Sequence, residues 1–295
     1  MRPIMVDRGI VRFAVNICSG ESEIVERREI MPPPLPFKDP KPASPGLAVR
    51  RRGTHIEGVG NVAEEPAQVQ WPPIRVTSPD FDDMGAILSQ MNIPYEEINE
   101  LSQIPPDAVL LVNCSDRWME PAESDVSALR QHIQQGGVAL VSDFAAGLVE
   151  HLVPDEASFL NETEEQEVMA QITDKELARL LGLNQLSIQF DLDGWHLPVT
   201  LPSGAKPILT TGDIIGQSEG PAVLAYSWRL DEGMILFTSF HNHAQLSDLE
   251  QALLRLMIMM PIATMTGESL TNVHTSWTQT QMRPESITDK RDPIR

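Results

Sequence analysis

Residues 233–261 constrain the fold more tightly than any other stretch of this chain. Gly233 opens a short, mainly apolar run over 234–240, and two histidines, His241 and His243, follow at once with Asn242 between them. A run that apolar suits a strand covered on both faces. Ser247 and Glu250 then have the spacing of a capping box, and Leu249, Leu253, Leu256, Met257 and Met260 recur every three or four residues. That pattern predicts an amphipathic helix, which Pro261 is expected to end. A buried strand that passes through a polar turn into a helix is a unit of an α/β sheet, and such sheets bind ligands at the carboxyl ends of their strands.

The same unit recurs upstream. A short strand at 74–77 meets the turn Ser78-Pro79-Asp80 and a helix over 81–91. The apolar run 108–112 ends in Asn113, Cys114, Ser115 and Asp116. A helix over 125–135 is closed by Gly136-Gly137, and the apolar run 138–141 ends in Ser142 and Asp143 before a helical pattern at 145–152. Strand and helix alternate, so the predicted class is α/β with a mainly parallel sheet flanked by helices. Residues 155–167 are acid-rich and read as a solvated insertion; a short helix over 174–183 with Thr173 as its cap follows. Short strands at 187–190, 198–201, 208–211 and 222–228 predict an antiparallel extension before 234–240 rejoins the main sheet.

The flanks differ in character. Residues 1–70 hold one alternating segment (Val11, Phe13, Val15, Ile17), a return segment over 23–31 that completes a β-hairpin, and a proline-rich linker, with Arg50-Arg51-Arg52 as a small basic run. A lone hairpin is marginal in water, so this arm is expected to dock on the main domain or to add a strand to another chain. Residues 263–295 are polar and read as a tail. The expected organisation is an arm (1–70), an α/β domain (71–262) and a C-terminal tail (263–295). Between 71 and 263 there are 8 Lys or Arg against 29 Asp or Glu. A domain that acidic repels phosphate backbones, which excludes nucleic acid and anionic membrane as partners and favours basic protein surfaces or a cation. With two cysteines, no apolar stretch of about 18 residues and no signal-peptide core, a cytoplasmic protein is expected.

If the strands that end in polar residues are parallel neighbours, their ends share one edge of the sheet. The candidate cleft residues are then Ser78, Asp80, Asn113, Cys114, Ser142 and Ser239, with Asp143 and His241 as the pair able to do acid–base work. His241 and His243 could ligate Zn²⁺ if the turn aims them together and Asp143 or Cys114 completes the set. No other cofactor is expected, since no phosphate-binding glycine motif is present. Asp80, Asp82 and Asp83 suit the positive end of a helix. Asp191 and Asp193 beside Trp195 could line a carbohydrate site, but aspartates next to a glycine such as Gly194 usually form turns.

Two strings carry a family resemblance. Gln134-Gln135-Gly136-Gly137-Val138-Ala139-Leu140-Val141-Ser142-Asp143 is similar to the helix, Gly-Gly, strand and nucleophile turn of the class I glutamine amidotransferase-like superfamily. Phe240-His241-Asn242-His243 resembles the Phe-His-Pro-Glu string that carries that family's catalytic His and Glu, and 233–241 resembles the corresponding stretch of its ThuA-like members. The resemblance spans 74–262 and implies a flavodoxin-like, amidotransferase-like sheet. It also implies where chemistry is missing. Glutamine hydrolysis by this family passes through a thioester and needs a thiolate at the turn. Asp143 or Ser142 stands there instead, and His243 replaces the orienting glutamate. Glutaminase activity is therefore not expected. Three readings of the cluster stay open: an Asp143–His241 bond that only holds loops together, a metal site, and a hydrolase in which the pair activates water. The expected role is a non-catalytic binding or scaffold subunit that engages protein partners, or copies of itself, through 1–70 and 263–295; the alternative is the hydrolase.

Overall fold

The computed structural model describes residues 70–161, 163–213 and 221–282. The arm over 1–69 and the end of the chain from 283 lie outside the described residues. In chain order the elements are β1 (Ile74–Thr77), α1 (Met84–Gln90), β2 (Glu96–Ile98), β3 (Val109–Val112), α2 (Glu123–Gln134), β4 (Val138–Ser142), α3 (Ala146–Leu152), β5 (Ser158–Leu160), β6 (Gln166–Ile172), α4 (Lys175–Leu181), β7 (Gln185–Phe190), β8 (Leu197–Thr200), β9 (Lys206–Thr211), β10 (Ala222–Leu230), β11 (Gly233–Thr238), α5 (Asp248–Thr266) and α6 (Leu270–Met282). Nine strands form one sheet in the order β2-β1-β3-β4-β11-β10-β9-β6-β7, and β5 pairs with β8 separately.

One half of the sheet, β2 through β11, is wholly parallel, and β10, β9, β6 and β7 continue it antiparallel. The α/β class and its antiparallel extension follow from this pairing. Every residue of β3, β4 and β11 is buried. The two-residue period then divides them between two cores. Val109, Leu111, Val138, Leu140 and Leu236 face Leu253, Met257 and Ile258 of α5, while Leu110, Val112, Ala139, Val141, Ile235 and Phe237 face Val126, Leu129 and Ile133 of α2 together with α3. Each such aliphatic side chain contributes about 1.5–3 kcal/mol by leaving water, so the strands at the centre are those the sequence makes most apolar.

Four expectations need correction. Pro261 does not end the helix after His243: α5 runs on to Thr266 and stops at Gly267, whose φ of 70° is left-handed. Proline removes one backbone donor and crowds the preceding turn, at a cost of about 3 kcal/mol. Ile262 and Ala263 stay in the core beyond it, and that burial keeps the helix going. The polar tail is only partly a tail, because Leu270–Met282 is helix α6. Val273 is buried, Trp277 packs on the core, and the Trp277 indole and Gln281 amide both donate to the Met91 carbonyl, at 2.9 and 2.8 Å. The acid-rich insertion contains β5 and the start of β6, whose Val168, Ala170 and Ile172 alternate inward. The cap of α4 is Asp174, which accepts from the Glu176 and Leu177 amides; Thr173 instead donates to the Pro207 carbonyl. No described helix is long and apolar enough to cross a membrane.

Candidate functional site

The parallel strands β1, β3, β4 and β11 deliver their carboxyl ends to one edge, as the polar strand ends suggested. β7 delivers a fifth. Four antiparallel steps separate it from β11, so the two strands run the same way. The Gln245 amide ties the turn after β11 to it, donating to the Gln189 carbonyl at 2.7 Å and to the His241 carbonyl at 3.1 Å while accepting from the Gln189 N–H at 3.0 Å.

Asp143 stands at the centre. It follows β4 on a tight turn into α3 with φ of 43°, a left-handed conformation that costs of order 1–3 kcal/mol and that aspartate tolerates better than most residues. Its side chain is sealed, at 2% exposure. Oδ1 accepts the His196 backbone N–H at 2.6 Å; Oδ2 faces His241 Nε2 at 3.2 Å and accepts the Cys114 thiol at 3.3 Å. The His196 ring nitrogen Nδ1 is 3.6 Å from Oδ1, beyond hydrogen-bonding reach, so the backbone does the holding. His241 is equally buried, with the Trp195 ring centroid 4.1 Å from its own. The 191–196 loop that supplies Trp195 and His196 therefore lies over the turn.

The electrostatics favour a charged pair. Burial works to raise the Asp143 carboxyl, but the His196 and His241 groups facing it outweigh burial and hold it below the usual carboxylate range. Burial works to lower His241, yet its bond to Asp143 and the charges of Asp143, Asp82 and Asp191 lift it above an ordinary imidazole. Burial, with the Asp143 charge next to it, pushes the Cys114 thiol far up, so this cysteine is a hydrogen-bond donor and not a thiolate.

Asp82, next to the cap of α1, holds the strand ends together. Only Asp83 caps that helix, accepting from the Ala86 amide. Asp82 is 2% exposed and accepts from the Asp83 and Asn242 backbone amides, both at 2.9 Å, from Asn242 Nδ2 at 3.0 Å, and from Ser142 Oγ at 2.6 Å. Burial raises its carboxyl despite the bonds from Ser142 and Asn242. The ends of β1, β4 and β11 are thus cross-linked through one side chain.

The expected cleft divides into three. Asn113, Cys114, Ser142 and Ser239 are each fully buried and line no opening. Asn113 bonds Thr77 and the Met84 amide, and Ser239 bonds the Leu224 carbonyl. They fasten loops because a strand-end polar group with no route to water must find a partner inside. Ser78 and Asp80 lie apart from Asp143, lining a cavity of about 210 Å³ with Ile98, Asn99, Arg117 and Trp118. Asp143, His241 and His243 do come together, His243 stacking on His241 with ring centroids 5.3 Å apart. The acid that faces both histidines is Asp191, in place of the expected Asp143 or Cys114: His241 Nδ1 to Oδ1 is 3.4 Å and His243 Nε2 to Oδ2 is 2.9 Å. Asp82, His196 and Gln245 were not readable as site residues, and Asp191 and Trp195 were readable only as candidates for a carbohydrate site. The one available signal was that Asp191 follows the expected strand 187–190, as His241 follows 234–240.

No protein-family model matches the sequence, and no curated protein matches it. Among solved structures, the chain is similar to a ThuA-like protein of Bacteroides uniformis (TM-score 0.46, 12% identity, covering 64% of this chain and 92% of that one). It is also similar to a GMP synthase subunit of Thermoplasma acidophilum (0.48, 11%, 73% and 100%) and to the mmIFT52 N-terminal domain (0.46, 9%, 64% and 96%). These are likenesses in the course of the backbone, and no residue's role follows from them.

Proposed function

We propose that this chain is a non-catalytic, amidotransferase-like binding or scaffold subunit of a protein complex. The observation that carries the reading is the state of Asp143: where a nucleophile would stand, both carboxylate oxygens are engaged, the side chain is sealed, and Trp195 and His196 cover the turn. A general base or nucleophile needs hydrogen-bonding reach to a substrate atom, and Asp143 does not offer it. The left-handed turn is the frame of a catalytic elbow, here filled by a carboxylate–imidazole pair that holds β4 to β11. Engagement of partners is assigned to residues 1–70, whose alternating Val11, Phe13, Val15 and Ile17 suit strand addition, and to the residues after α6. The acidity of the α/β part favours a basic partner surface.

The test compares the full chain with a chain lacking residues 1–70, all of which precede β1. Removing the arm should abolish stable association with the partner, or with a second copy, while circular dichroism and melting of the α/β unit are retained. A truncated chain that keeps every partner ends the scaffold reading. A substrate whose turnover disappears in a folded His241→Ala variant ends the non-catalytic one and favours the hydrolase.

A further inference from the structure

We infer that Asp191, His241 and His243 form a binding site for one divalent transition-metal ion of the zinc class. Their ligand atoms all lie within 4.8 Å of one another. Tetrahedral zinc with nitrogen and oxygen ligands at about 2.0–2.2 Å needs those atoms roughly 3.3 Å apart. With Asp191 presenting one oxygen to each ring, His241 Nδ1 to Oδ1 is 3.4 Å and His243 Nε2 to Oδ2 is 2.9 Å, and the ligand atoms of the two histidines lie within 4.8 Å of each other, so a small closure of the three side chains reaches that spacing.

A second observation points to a ligand. His241 is 3% exposed, yet its Nδ1 has no hydrogen-bond partner, and neither has Asp191 Oδ1 opposite it. The 3.4 Å between them is too poorly aligned for a bond. Two buried polar atoms that face each other unpaired cost free energy unless something sits between them. His241 Nε2 is committed to Asp143, which fixes the ring and directs the other nitrogen toward Asp191 and His243. A carboxylate on the far nitrogen of a histidine is the usual outer partner of a metal ligand, orienting the ring and raising its basicity. Asp143 thereby acquires a positioning role. The inner trio of Cys114, Asp143 and His241 is fully buried, and its atoms already bond one another and the His196 amide, whereas the outer trio opens to solvent.

Access fits as well. The His243 side chain is 53% exposed and Asp191 26%, so an ion reaches the site from solvent and keeps a coordination position open on that side. Two imidazoles and one carboxylate suit zinc, nickel or copper rather than magnesium or calcium. Binding displaces the Nδ1 proton of His241 to solvent while Nε2–H stays on Asp143, and the bound ion clasps the 191–196 loop onto the turn after β11. The site stands independently of whether the chain has a protein partner.

The experiment uses the full chain made without a histidine tag, stripped by a chelator and checked for folding by circular dichroism. Zn²⁺ is titrated calorimetrically, and Co²⁺ is followed by its visible absorption. One equivalent should bind, with the intense bands of four-coordinate cobalt. His243→Ala and Asp191→Asn, both at accessible positions, should each weaken binding on the order of 100-fold. His151→Ala, outside the site, should leave it unchanged. Failure of the wild-type chain to take up a stoichiometric ion, or equal affinity in His243→Ala and Asp191→Asn to that of wild type, overturns the assignment.

Discussion

Replacing Asp143 by Asn tests the buried pair most directly. Asparagine keeps the shape of the side chain and tolerates a φ of 43°, so backbone strain is nearly unchanged. What changes is charge and acceptor count. Asp143 accepts from the His196 amide, His241 and Cys114; one amide oxygen can keep the His196 bond, but the NH₂ group then faces His241. A hydrogen bond between charged groups is worth about 1.5–3 kcal/mol, and stripping one partner from a buried pair costs up to about 3–5 kcal/mol. Asp82 and Asp191 remain near His241, and the imidazole can shed its proton and turn acceptor, which places the cost near about 2–3 kcal/mol. In a domain of about 150–250 residues that lowers Tm by roughly 4–12 °C.

The sign with pH follows from the two directions. The lowered Asp143 carboxyl contributes stability that is present above its unfolded value of 3.8 and is lost as pH falls through the folded one. The raised His241 contributes stability that is present below 6.5 and is lost as pH rises through its folded value. Wild type and Asp143→Asn should therefore differ most between about pH 4 and 6.5, with the gap narrowing on either side. Thermal melts by circular dichroism across that range measure it. Equal melting temperatures at about pH 5.5, or a gap that grows toward about pH 8, would refute the account.

Two further outcomes follow from packing and burial. At Gly147 in α3 an added Cβ would fall against the Trp118 carbonyl oxygen, well inside contact distance, so Gly147→Ala should cost about 1–3 kcal/mol as a lower urea midpoint, and an unchanged midpoint would contradict this packing. Cys114 is buried with its thiol pushed up, so in a Cys18→Ser background a thiol reagent should not react with the native chain until denaturant is added; rapid native labelling would show the thiol is reachable.

The strands at the centre were legible because burial on both faces demands apolar residues in succession, as 108–112, 138–141 and 234–237 supply. The capping box of Ser247 and Glu250 was legible for a local reason, since both bonds lie within one turn of helix. From those parallel runs came the common edge that brings Asp143 and His241 together. Helix α6 was missed although Leu270, Val273 and Trp277 are spaced i, i+3 and i+7 on one face, because three apolar residues in so polar a stretch gave too narrow a stripe until they met a surface already built. Nor was the end of α5, where proline argued locally for a stop and the core on either side of it decided otherwise.

By itself, the order of residues determined the central strands and which of their ends are polar, while β2, β5 and β6 emerged only from the assembled structure. Only the tertiary structure decided which of those ends could be reached. Ser142, Asn113 and Ser239 turned inward as fasteners, and Ser78 and Asp80 opened onto a separate cavity. Asp191, far upstream of His241 in the chain, joined the two histidines because four antiparallel steps return β7 to the direction of β11. Strand direction is a property of the assembled sheet, and no window of sequence carries it.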